Sequence, residues 1–576
     1  MTTFVAKELS WTLGTELTIG KIDIGLLNRI IIDDVLLDDQ SGKEMLKITR
    51  LSAKFDIIPL FNGKIAISSV QLFGFNINLN KPTPNTDPNF KFVLDAFASK
   101  DTVKTDKSFD LRINSILIRR GKLAYDVLSE KETPGKFNPQ HVKLHNIIAN
   151  ISLKALQGDS INAAIKRLSV DEQSGFELRK LSLKVIANDR GMKIENFAIE
   201  MPGTEMKMDT IRMEYDSLGA LNHFADEVRF SFRTLPSYVT LNDISAFVPA
   251  LSNFKEKLDL GIDVEGTLNQ LNCKTLEINA GDKFRLKGDV SLQDLSRPQD
   301  AYVYGHLANL SANNDGIGFL VRNLSPHYNG VPPILQRLGN ASFHGEISGY
   351  FTDLVMYGLF RTNIGSVQTD LKLSSDKAKA LFSYSGGVKT TDFELGQLLD
   401  NKQLGKITFN LNVQGSHYRN QYPAITLKGL IAALEYSNYK YENITLDGEF
   451  ERGGFDGKVA LDDENGSIHL NGNINVVEKI PTFNFNAVID KVRPHDLNLT
   501  KDYPDAEFSL KLKANFRGGS IDEMIGEINI DSLQFTAPEK NYFLDNINII
   551  ATRQDKQNQL KLTSSFLKAS IEGNYL

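Results

Sequence analysis

Histidine offers the widest range of chemistry in this sequence, and two of the nine histidines lie close together. His141 and His145 have the spacing at which two imidazoles on one helix can bind the same metal ion. Here they alternate with Val142 and Leu144, a pattern that predicts a strand. On a strand the two imidazoles share a face but lie about 13 Å apart. We therefore expect both on the surface of a strand, and we predict no metal site.

One acidic stretch carries the carboxylates that a calcium ion prefers, namely Asp462-Asp463-Glu464-Asn465-Gly466. It lacks the glutamate that occupies the twelfth position of an EF-hand loop. Apolar residues flank it on both sides, in Val459 to Leu461 and in Ile468 to Leu470. This arrangement predicts a hairpin turn rather than a calcium site.

The motifs of common enzyme classes are missing from the sequence. The glycine pairs Gly386-Gly387 and Gly453-Gly454 have neither the lysine nor the following helix of a phosphate-binding loop. No Gly-x-Ser-x-Gly elbow is present, and Cys273, the one cysteine, has no histidine near it in the sequence. We therefore predict that the protein is not an enzyme, that it needs no cofactor and that Cys273 is a buried thiol.

A different pattern dominates the chain: apolar and polar residues alternate, as in a strand with one apolar face. Lys406 to Gly415 is the clearest example. Large apolar side chains recur at the inward positions of such strands, and we expect them to line an apolar groove. The candidate lining residues are Phe73, Phe75, Ile77, Leu79, Ile407, Phe409, Leu411, Val413, Phe483, Phe485, Phe508, Leu510 and Leu512.

Length and composition restrict the class of protein. A chain of 576 residues is too long for one compact core. Its apolar content of 41% and its charged content of 24% are ordinary for folded protein. The net charge of -6 predicts no binding of nucleic acid. No run approaches the roughly 18 apolar residues that a membrane-spanning helix needs.

These patterns divide the chain into four regions. The regions are an N-terminal module (1–80), a proline-rich break with a short helix and a linker (81–109), a strand-rich segment (110–238) and a repeat of helices and strands (239–576). The first helix is predicted over residues 4–13, and Gly14 ends it. We expect Trp11 to pack this helix onto the sheet, with a place at a membrane interface as the alternative.

The last region repeats one arrangement, in which a short helical stretch leads into alternating strands. The helical stretches are Asp243 to Leu258, Pro333 to Leu338, Glu394 to Leu404 and Pro494 to Leu499. So few short helices cannot cover so many strands. The sequence therefore predicts an all-β protein with a few short helices, built as an elongated, repeating, antiparallel β-groove. Alternation by itself is equally compatible with closed sandwiches.

The stretch from Gly14 to Leu79 resembles the N-terminal module of the AsmA-like superfamily, and it is most similar to the TamB family. The similarity rests on a short helix followed by the strand TELTIGKIDIG, the hairpin DDVLLDDQSG and the loop LFNGK. The later alternation of short helices with runs of strands has the same layout as the body of TamB proteins.

This resemblance implies a curled sheet with an apolar interior that carries phospholipid acyl chains between inner and outer membranes. It also implies a periplasmic location, with the chain anchored in the inner membrane through an N-terminal helix that has been removed.

Two alternatives remain open. One is assembly of outer-membrane proteins with a BamA-type barrel, through a C-terminal region that is missing here. The other is a structural β-repeat protein with a closed core.

Overall fold

The computed structural model describes residues 2–25, 28–55, 67–97, 114–157, 160–324, 331–376, 381–418, 424–476, 480–554 and 557–573. Strands dominate the described residues and the helices are few and short, which confirms the predicted all-β class. The predicted loop after Ile57 and the linker from Lys100 to Ser108 lie outside the described residues.

The chain forms two compact units. The first comprises residues 1–296 and 319–328, and the second comprises residues 297–318 and 329–576. The boundary predicted at residue 239 therefore falls inside the first unit, where strand pairing continues across it.

The first unit contains sixteen strands in its described part. They are β1 (Leu17–Gly25), β2 (Arg29–Asp38), β3 (Glu44–Phe55), β4 (Ile67–Lys81), β5 (Ser115–Val127), β6 (His141–Gln157), β7 (Ser160–Glu172), β8 (Glu177–Ala187), β9 (Gly191–Met201), β10 (Thr204–Lys207), β11 (Ile211–Glu214), β12 (Arg229–Arg233), β13 (Ser237–Val239), β14 (Leu258–Thr267), β15 (Gln270–Ala280) and β16 (Phe284–Gln293).

Most neighbours in this unit pair antiparallel, as predicted, but β4 and β5 run parallel. The sheet branches after β9, which pairs with both β10 and β11. The two branches rejoin at β14, which pairs with both β12 and β13.

The second unit is simpler, because each described strand pairs antiparallel with the next one in sequence. Its strands are β17 (Tyr302–Ala312), β18 (Ala341–Tyr350), β19 (Asp353–Thr362), β20 (Gly365–Asp376), β21 (Leu381–Glu394), β22 (Leu404–Tyr418), β23 (Ala424–Tyr436), β24 (Tyr439–Glu451), β25 (Gly454–Asp463), β26 (Gly466–Asn475), β27 (Thr482–Val492), β28 (Glu507–Arg517), β29 (Ile525–Ala537), β30 (Lys540–Gln554), β31 (Gln557–Ser564) and β32 (Lys568–Glu572).

Short helical segments interrupt the strands, but only some lie where they were predicted: the stretch Asp243 to Leu258 contains short 3-10 turns instead of a helix, and the helix Asn314–Leu324 was not predicted. The α-helices are α1 (Thr2–Leu13), α2 (Lys91–Phe97), α3 (Phe224–Glu227), α4 (Asn314–Leu324), α5 (Pro333–Gln336) and α6 (Leu395–Leu399). The 3-10 turns are Leu218–His223, Leu241–Ile244, Pro249–Leu251 and Ile521–Glu523. The predicted helical stretch at Pro494 to Leu499 is a single turn, closed by hydrogen bonds from Leu497 N to Arg493 O and from Leu499 N to Pro494 O.

A line of left-handed residues crosses four strands of the first unit. Asp34, Gly74, Arg120 and Asn146 have φ values of 55°, 64°, 56° and 53°. A residue of this kind inside a strand acts like a β-bulge and shifts the inward-outward alternation by one position. If odd-numbered residues of a strand point inward on one side of the line, even-numbered residues point inward on the other side.

Candidate functional site

The second unit presents one continuous apolar face across its strands, which we divide into four rows of paired residues. Row one is Phe409, Ile431, Ile444, Leu461, Ile468, Ile489 and Leu510. Row two is Leu411, Gly429, Leu446, Val459, Leu470, Ala487, Leu512, Ile530 and Ile547. Row three is Val413, Leu427, Gly448, Gly457, Gly472, Phe485, Ala514, Ile528 and Ile549. Row four is Gly415, Ile425, Phe450, Phe455, Ile474, Phe483, Phe516, Gly526 and Ala551.

Every member of the four rows is an apolar residue or a glycine, because inward positions on neighbouring strands face each other in an antiparallel ladder. The opposite face of the same strands is largely polar. There Lys428 faces Asp447, and their Nζ and Oδ2 atoms lie 2.8 Å apart. The sheet thus has one polar face and one apolar face, as the alternation predicts.

Burial varies across the apolar face. Leu461 in row one and Leu411 in row two are each 7% exposed, so they are buried. Most other members of the four rows, such as Ile468 in row one and Leu427 and Leu470 beyond it, are only partly buried. Much of the face therefore keeps some contact with solvent.

In the middle of the face, glycines leave several paired positions without a side chain. Gly448, Gly457 and Gly472 are directly paired on three neighbouring strands of row three. A Cβ atom at Gly448 would lie only 2.4 Å from Cε2 of Phe455, so the edge of this ring lies directly over the glycine. A larger residue at position 448 would push the ring off the sheet.

A single turn closes row one at the end of β24 to β27. We call the segment from Arg493 to Thr500 the cap turn. It bonds to the turns of two hairpins. Arg493 N donates to Asn465 O at 2.9 Å in the β25–β26 turn, and Asn498 Nδ2 donates to Ser437 O at 3.2 Å in the β23–β24 turn. Its Leu497 side chain is fully buried, at 0% exposure. Tyr441 Oη donates to the Leu497 carbonyl at 2.7 Å and fixes the position of the turn.

Leu497 packs in one cluster with Tyr441, Leu461 and Val492, and the row-one residues Ile444, Ile468 and Ile489 pack against the cluster. Burying a leucine in this way is worth roughly 1.5–3 kcal/mol. The cap turn therefore covers row one with protein.

Helix α6 covers the adjacent strands at the same end. Its Leu395 and Leu398 pack on a cluster that includes Ile407 and Phe393, together with Phe409 and Ile431 of row one. Arg337 Nη1 donates to the Leu398 carbonyl at 3.1 Å, and this hydrogen bond helps to fix the position of the helix. We call this end of the strands the capped end.

Aromatic pairs lie at the opposite end of the same face. Phe450 and Phe455 have ring centroids 5.0 Å apart. Phe483 and Phe516 are stacked, with centroids 4.7 Å apart. Row four therefore offers aromatic surface, while most of row one packs against the cap turn and α6.

The predicted lining residues of the second unit lie on this inward side. Phe409, Leu411, Val413, Phe483, Phe485, Leu510 and Leu512 belong to the rows defined above. Ile407 and Phe508 lie just beyond row one at the capped end, where Phe508 contacts Phe535 with centroids 4.8 Å apart. Sequence analysis missed the glycines of row three and Leu497, because a strand template assigns no inward role to a glycine or to a residue in a turn.

The first unit has a similar cluster at one strand end. Leu13 of α1 packs with Leu17, Leu37 and Met45, and Leu79 lies against them. Phe75 is 8% exposed and faces Ile48, which is equally buried. Ile77 follows two residues later, opposite Leu46. These three candidates share an inward-facing side of β4.

Phe73 corrects the prediction for this strand. It is 39% exposed, faces Arg50 and lines a polar depression with Asp33, Arg50 and Gln71. The Arg120 guanidinium lies over its ring, 5.3 Å from the centroid. The left-handed Gly74 shifts the alternation between Phe73 and Phe75, so the two side chains point to opposite faces.

His141 also departs from its prediction, because it is buried at 5% exposure while His145 is exposed. Its Nδ1 lies 2.9 Å from Asp126 Oδ1, and its Nε2 lies 3.0 Å from the Glu130 carbonyl. Both ring nitrogens face acceptors, so the imidazole must carry two protons to satisfy both. The hydrogen bond to Asp126 is the main cause that raises the pKa of His141.

Ligand atoms of Asp126, Glu132 and His141 lie within 4.8 Å of one another, a spacing that a metal ion could use. The imidazole nitrogens already have partners, and Lys143 Nζ lies 3.0 Å from Glu132 Oε1. A metal would have to displace these contacts. The arrangement is therefore explained by an ion-paired imidazolium.

The remaining chemical candidates have structural roles, with one further correction. Asp463 to Gly466 forms the predicted hairpin turn between β25 and β26. Cys273 is buried at 6% exposure, and burial raises the pKa of its thiol. Trp11 is 82% exposed, so the expectation that it packs α1 onto the sheet is wrong.

Comparison with protein-family models, with curated proteins and with solved structures finds no match for this chain. Among the described residues, no helix has the length and apolar character needed to span a membrane.

Proposed function

We propose that the apolar face of the second unit binds the acyl chains of phospholipids, as part of a periplasmic, inner-membrane-anchored bridge of the AsmA/TamB type. Such a bridge would carry lipid passively between inner and outer membranes. The observation that supports the proposal is that most members of rows two to four remain partly exposed, although every member is apolar or glycine.

The energetics favour an apolar ligand on this face. Each methylene that leaves water for an apolar surface contributes about 0.8 kcal/mol. Binding needs no charged or catalytic group at specific positions, only continuous apolar lining. Rows two and three provide this lining across nine strands, β22 to β30.

A filled protein core is the main competing explanation for an apolar sheet face. In a packed sandwich the inward side chains of both sheets interdigitate and are largely buried. Here most row-one residues pack against the cap turn and α6, and most members of all four rows remain partly exposed. This partial exposure supports an open face rather than a filled core.

The test uses protein purified without detergent, followed by native mass spectrometry and by extraction of bound lipid. We compare Phe485→Glu, which places a charge in row three, with Val488→Glu on the same strand. Val488 is 46% exposed and lies on the opposite face, so it is the matched control.

We expect phospholipid on the wild-type protein and on Val488→Glu, and a large loss on Phe485→Glu with an unchanged circular dichroism spectrum. A wild-type protein free of lipid would overturn the proposal. Equal lipid content in both variants would also overturn it, because the apolar face would then play no part.

A further inference from the structure

We infer that the polar face of the second unit binds an uncharged glycan strand, at a site made of a polar cavity and three neighbouring exposed tyrosines. This face is on the other side of the sheet from the apolar rows. The inference therefore goes beyond the proposed function and does not depend on it.

The cavity lies over strands β20 to β24 and has a volume of about 320 Å³. Polar side chains supply most of its lining. Those on the polar face are Lys372, Ser374, Ser383, Ser385, Gln414, Ser416, Thr426 and Glu449. Gln414 and Ser416 alternate with Val413 of row three and Gly415 of row four, which places the cavity opposite the apolar rows.

Most polar groups of the cavity are free to bind a ligand. Lys372 Nζ lies 3.0 Å from Asp353 Oδ2, and the Ser374 hydroxyl donates to the same carboxylate. Within the described part of the chain, the side chains that make no hydrogen bond or ion pair are Ser383, Ser385, Gln414, Ser416, Thr426 and Glu449. Hydroxyl and carboxamide groups both donate and accept hydrogen bonds, so they match the hydroxyl groups of a sugar.

The charges around the cavity favour an uncharged ligand. Lys372 is already paired with Asp353. Glu449 is the other charged side chain in the described lining, and Asp456 faces it on the next strand. These two carboxylates repel an anion, while the Glu449 carboxylate can accept a hydrogen bond from a sugar hydroxyl.

Three exposed tyrosines provide flat surface on the same face. Tyr304, Tyr350 and Tyr357 are 43%, 50% and 52% exposed. Tyr302 packs edge-to-face against Tyr350, with ring centroids 5.4 Å apart, and so helps to orient it. A tyrosine ring combines an apolar face with a polar hydroxyl, which suits a sugar ring, whose faces carry C–H groups and whose edges carry hydroxyls.

Strand pairing joins the tyrosines to the cavity through two sets of paired residues, which we call rungs. The first rung is Tyr304, Ser348, Val355, Lys372, Ser385, Gln414, Thr426 and Glu449. The second rung is Tyr302, Tyr350, Asp353, Ser374, Ser383 and Ser416. Tyr357 lies two residues after Val355 on β19, so its side chain is on the same face.

The extent of the site indicates a chain of sugars. The first rung crosses the strands from β17 to β24, which are about 4.8 Å apart, so it extends over roughly 34 Å. A monosaccharide in the cavity cannot reach Tyr304 as well. An oligosaccharide can place one ring on the tyrosines and another in the cavity.

Isothermal titration calorimetry of the full chain tests the site with cellohexaose, with the hexamer of N-acetylglucosamine and with the cationic hexamer of glucosamine. We expect an uncharged hexasaccharide to bind, and its monosaccharide to bind at least about tenfold more weakly because it lacks the tyrosine contacts. The glucosamine hexamer should bind no better than the uncharged hexamers.

Two substitutions and a control locate the binding. Tyr357→Ser should weaken binding of the hexasaccharide about tenfold, and Gln414→Ala should weaken it about fivefold. Tyr542→Ser is the matched control, because Tyr542 is 53% exposed but lies on β30, outside both rungs. It should leave the affinity unchanged, and circular dichroism checks that all three variants fold.

A second measurement uses the wild-type protein, so a variant that fails to fold does not decide the matter. Tyrosines are nitrated with tetranitromethane, with and without the hexasaccharide, and the modified peptides are quantified by mass spectrometry. The hexasaccharide should protect Tyr304, Tyr350 and Tyr357 and leave Tyr542 reactive.

Several outcomes would overturn the glycan site. These are no binding of either uncharged hexasaccharide, tighter binding of the cationic hexamer, equal affinity for the monosaccharide, and an affinity that Tyr357→Ser leaves unchanged. Analytical ultracentrifugation covers another case. A wild-type protein that self-associates, with a monomeric Tyr357→Ser variant and no bound glycan, would assign the tyrosines to a contact between two copies of the chain.

Discussion

At the scale of single residues, Phe75 and Phe73 differ in burial because the glycine between them is left-handed. Phe75 is 8% exposed and its ring lies against Gly121, where a Cβ atom would be 2.4 Å from its Cζ. Phe73 is 39% exposed and contacts the Arg120 guanidinium on the polar side. One backbone conformation therefore decides which of two identical side chains contributes to the core.

Alanine substitutions at these two positions should separate their roles. Phe75→Ala should lower the free energy of unfolding by about 3–5 kcal/mol, the usual cost of removing a buried phenylalanine. Phe73→Ala should cost less than about 1.5 kcal/mol, because the ring is partly in water and its cation–π contact is worth about 0.5–1 kcal/mol. Urea denaturation of both variants measures the difference, and equal costs would contradict the assignment of faces.

His141 should make the stability of the first unit depend on pH. Its pKa is raised in the folded state, mainly by the hydrogen bond to Asp126, with Glu132 also facing it and Lys143 paired to Glu132. The contribution of His141 to the free energy of unfolding is therefore fully present below the unfolded pKa of about 6.5. It is lost as the pH rises through the higher pKa of the folded state.

Thermal unfolding of the wild type and of His141→Gln over a pH series checks this sign. The melting temperature of the wild type should exceed that of His141→Gln most at about pH 5.5, and this difference should shrink toward about pH 8.5. An advantage that grows with pH would show that the imidazole is neutral in the folded protein.

At the scale of elements, bends within strands and caps at their ends shape the apolar face. Left-handed residues lie inside strands of both units, for example Asp34 in β2 and Lys491 in β27. At Lys491 the register of β27 against β28 shifts by one residue between Ile489 and Val492. The cap turn begins immediately after this point, so the bulge and the cap lie together at the end of the strand.

Gly74 offers a direct test of the role of these bends. Gly74→Ala forces a Cβ into the left-handed region, which costs about 1–2 kcal/mol, and brings it within 2.7 Å of Thr49 Oγ1. Gly42→Ala has a comparable φ of 79° with nothing within 4 Å, so it carries the backbone cost without the clash. We expect Gly74→Ala to be the more destabilising in urea denaturation, and equal costs would mean that Thr49 moves aside freely.

At the scale of the whole molecule, charge should contribute little to either stability or lipid retention. The net charge is only -6, and most ion pairs are exposed, such as Lys428 with Asp447 at 66% and 53% side-chain exposure. Exposed pairs are worth about 0–1 kcal/mol and are screened by salt. Apolar burial is the dominant stabilising term in each unit.

Salt therefore provides a test at this scale. Raising sodium chloride from about 0.05 M to about 1 M, where the screening length falls to about 3 Å, should leave bound phospholipid in place and change the melting temperature only slightly. Bound lipid is quantified after gel filtration at each salt concentration. Release of lipid at high salt would indicate that head-group charge, rather than the apolar rows, holds the ligand.

Much of the local structure could be read from the sequence, because alternation is a local signal. Leu411 and Val413 lie on the inward face as predicted, and the hairpin turn at Asp463 to Gly466 follows from its composition. Phe73 could not be placed, since alternation assumes a regular backbone and the pattern does not show a left-handed glycine. His141 could not be recognised as buried, because Asp126 is brought to it only by the pairing of β5 with β6.

The all-β class, the strands with one apolar face and the few short helical segments between them all follow from the order of residues along the chain. Those features depend on residues near one another in the chain. Which apolar side chains are covered depends instead on contacts between distant parts of the chain. Leu497 and Tyr441 are 56 residues apart, and their hydrogen bond helps to place protein over row one. Whether an apolar face is covered depends on such long-range contacts, which no local pattern records.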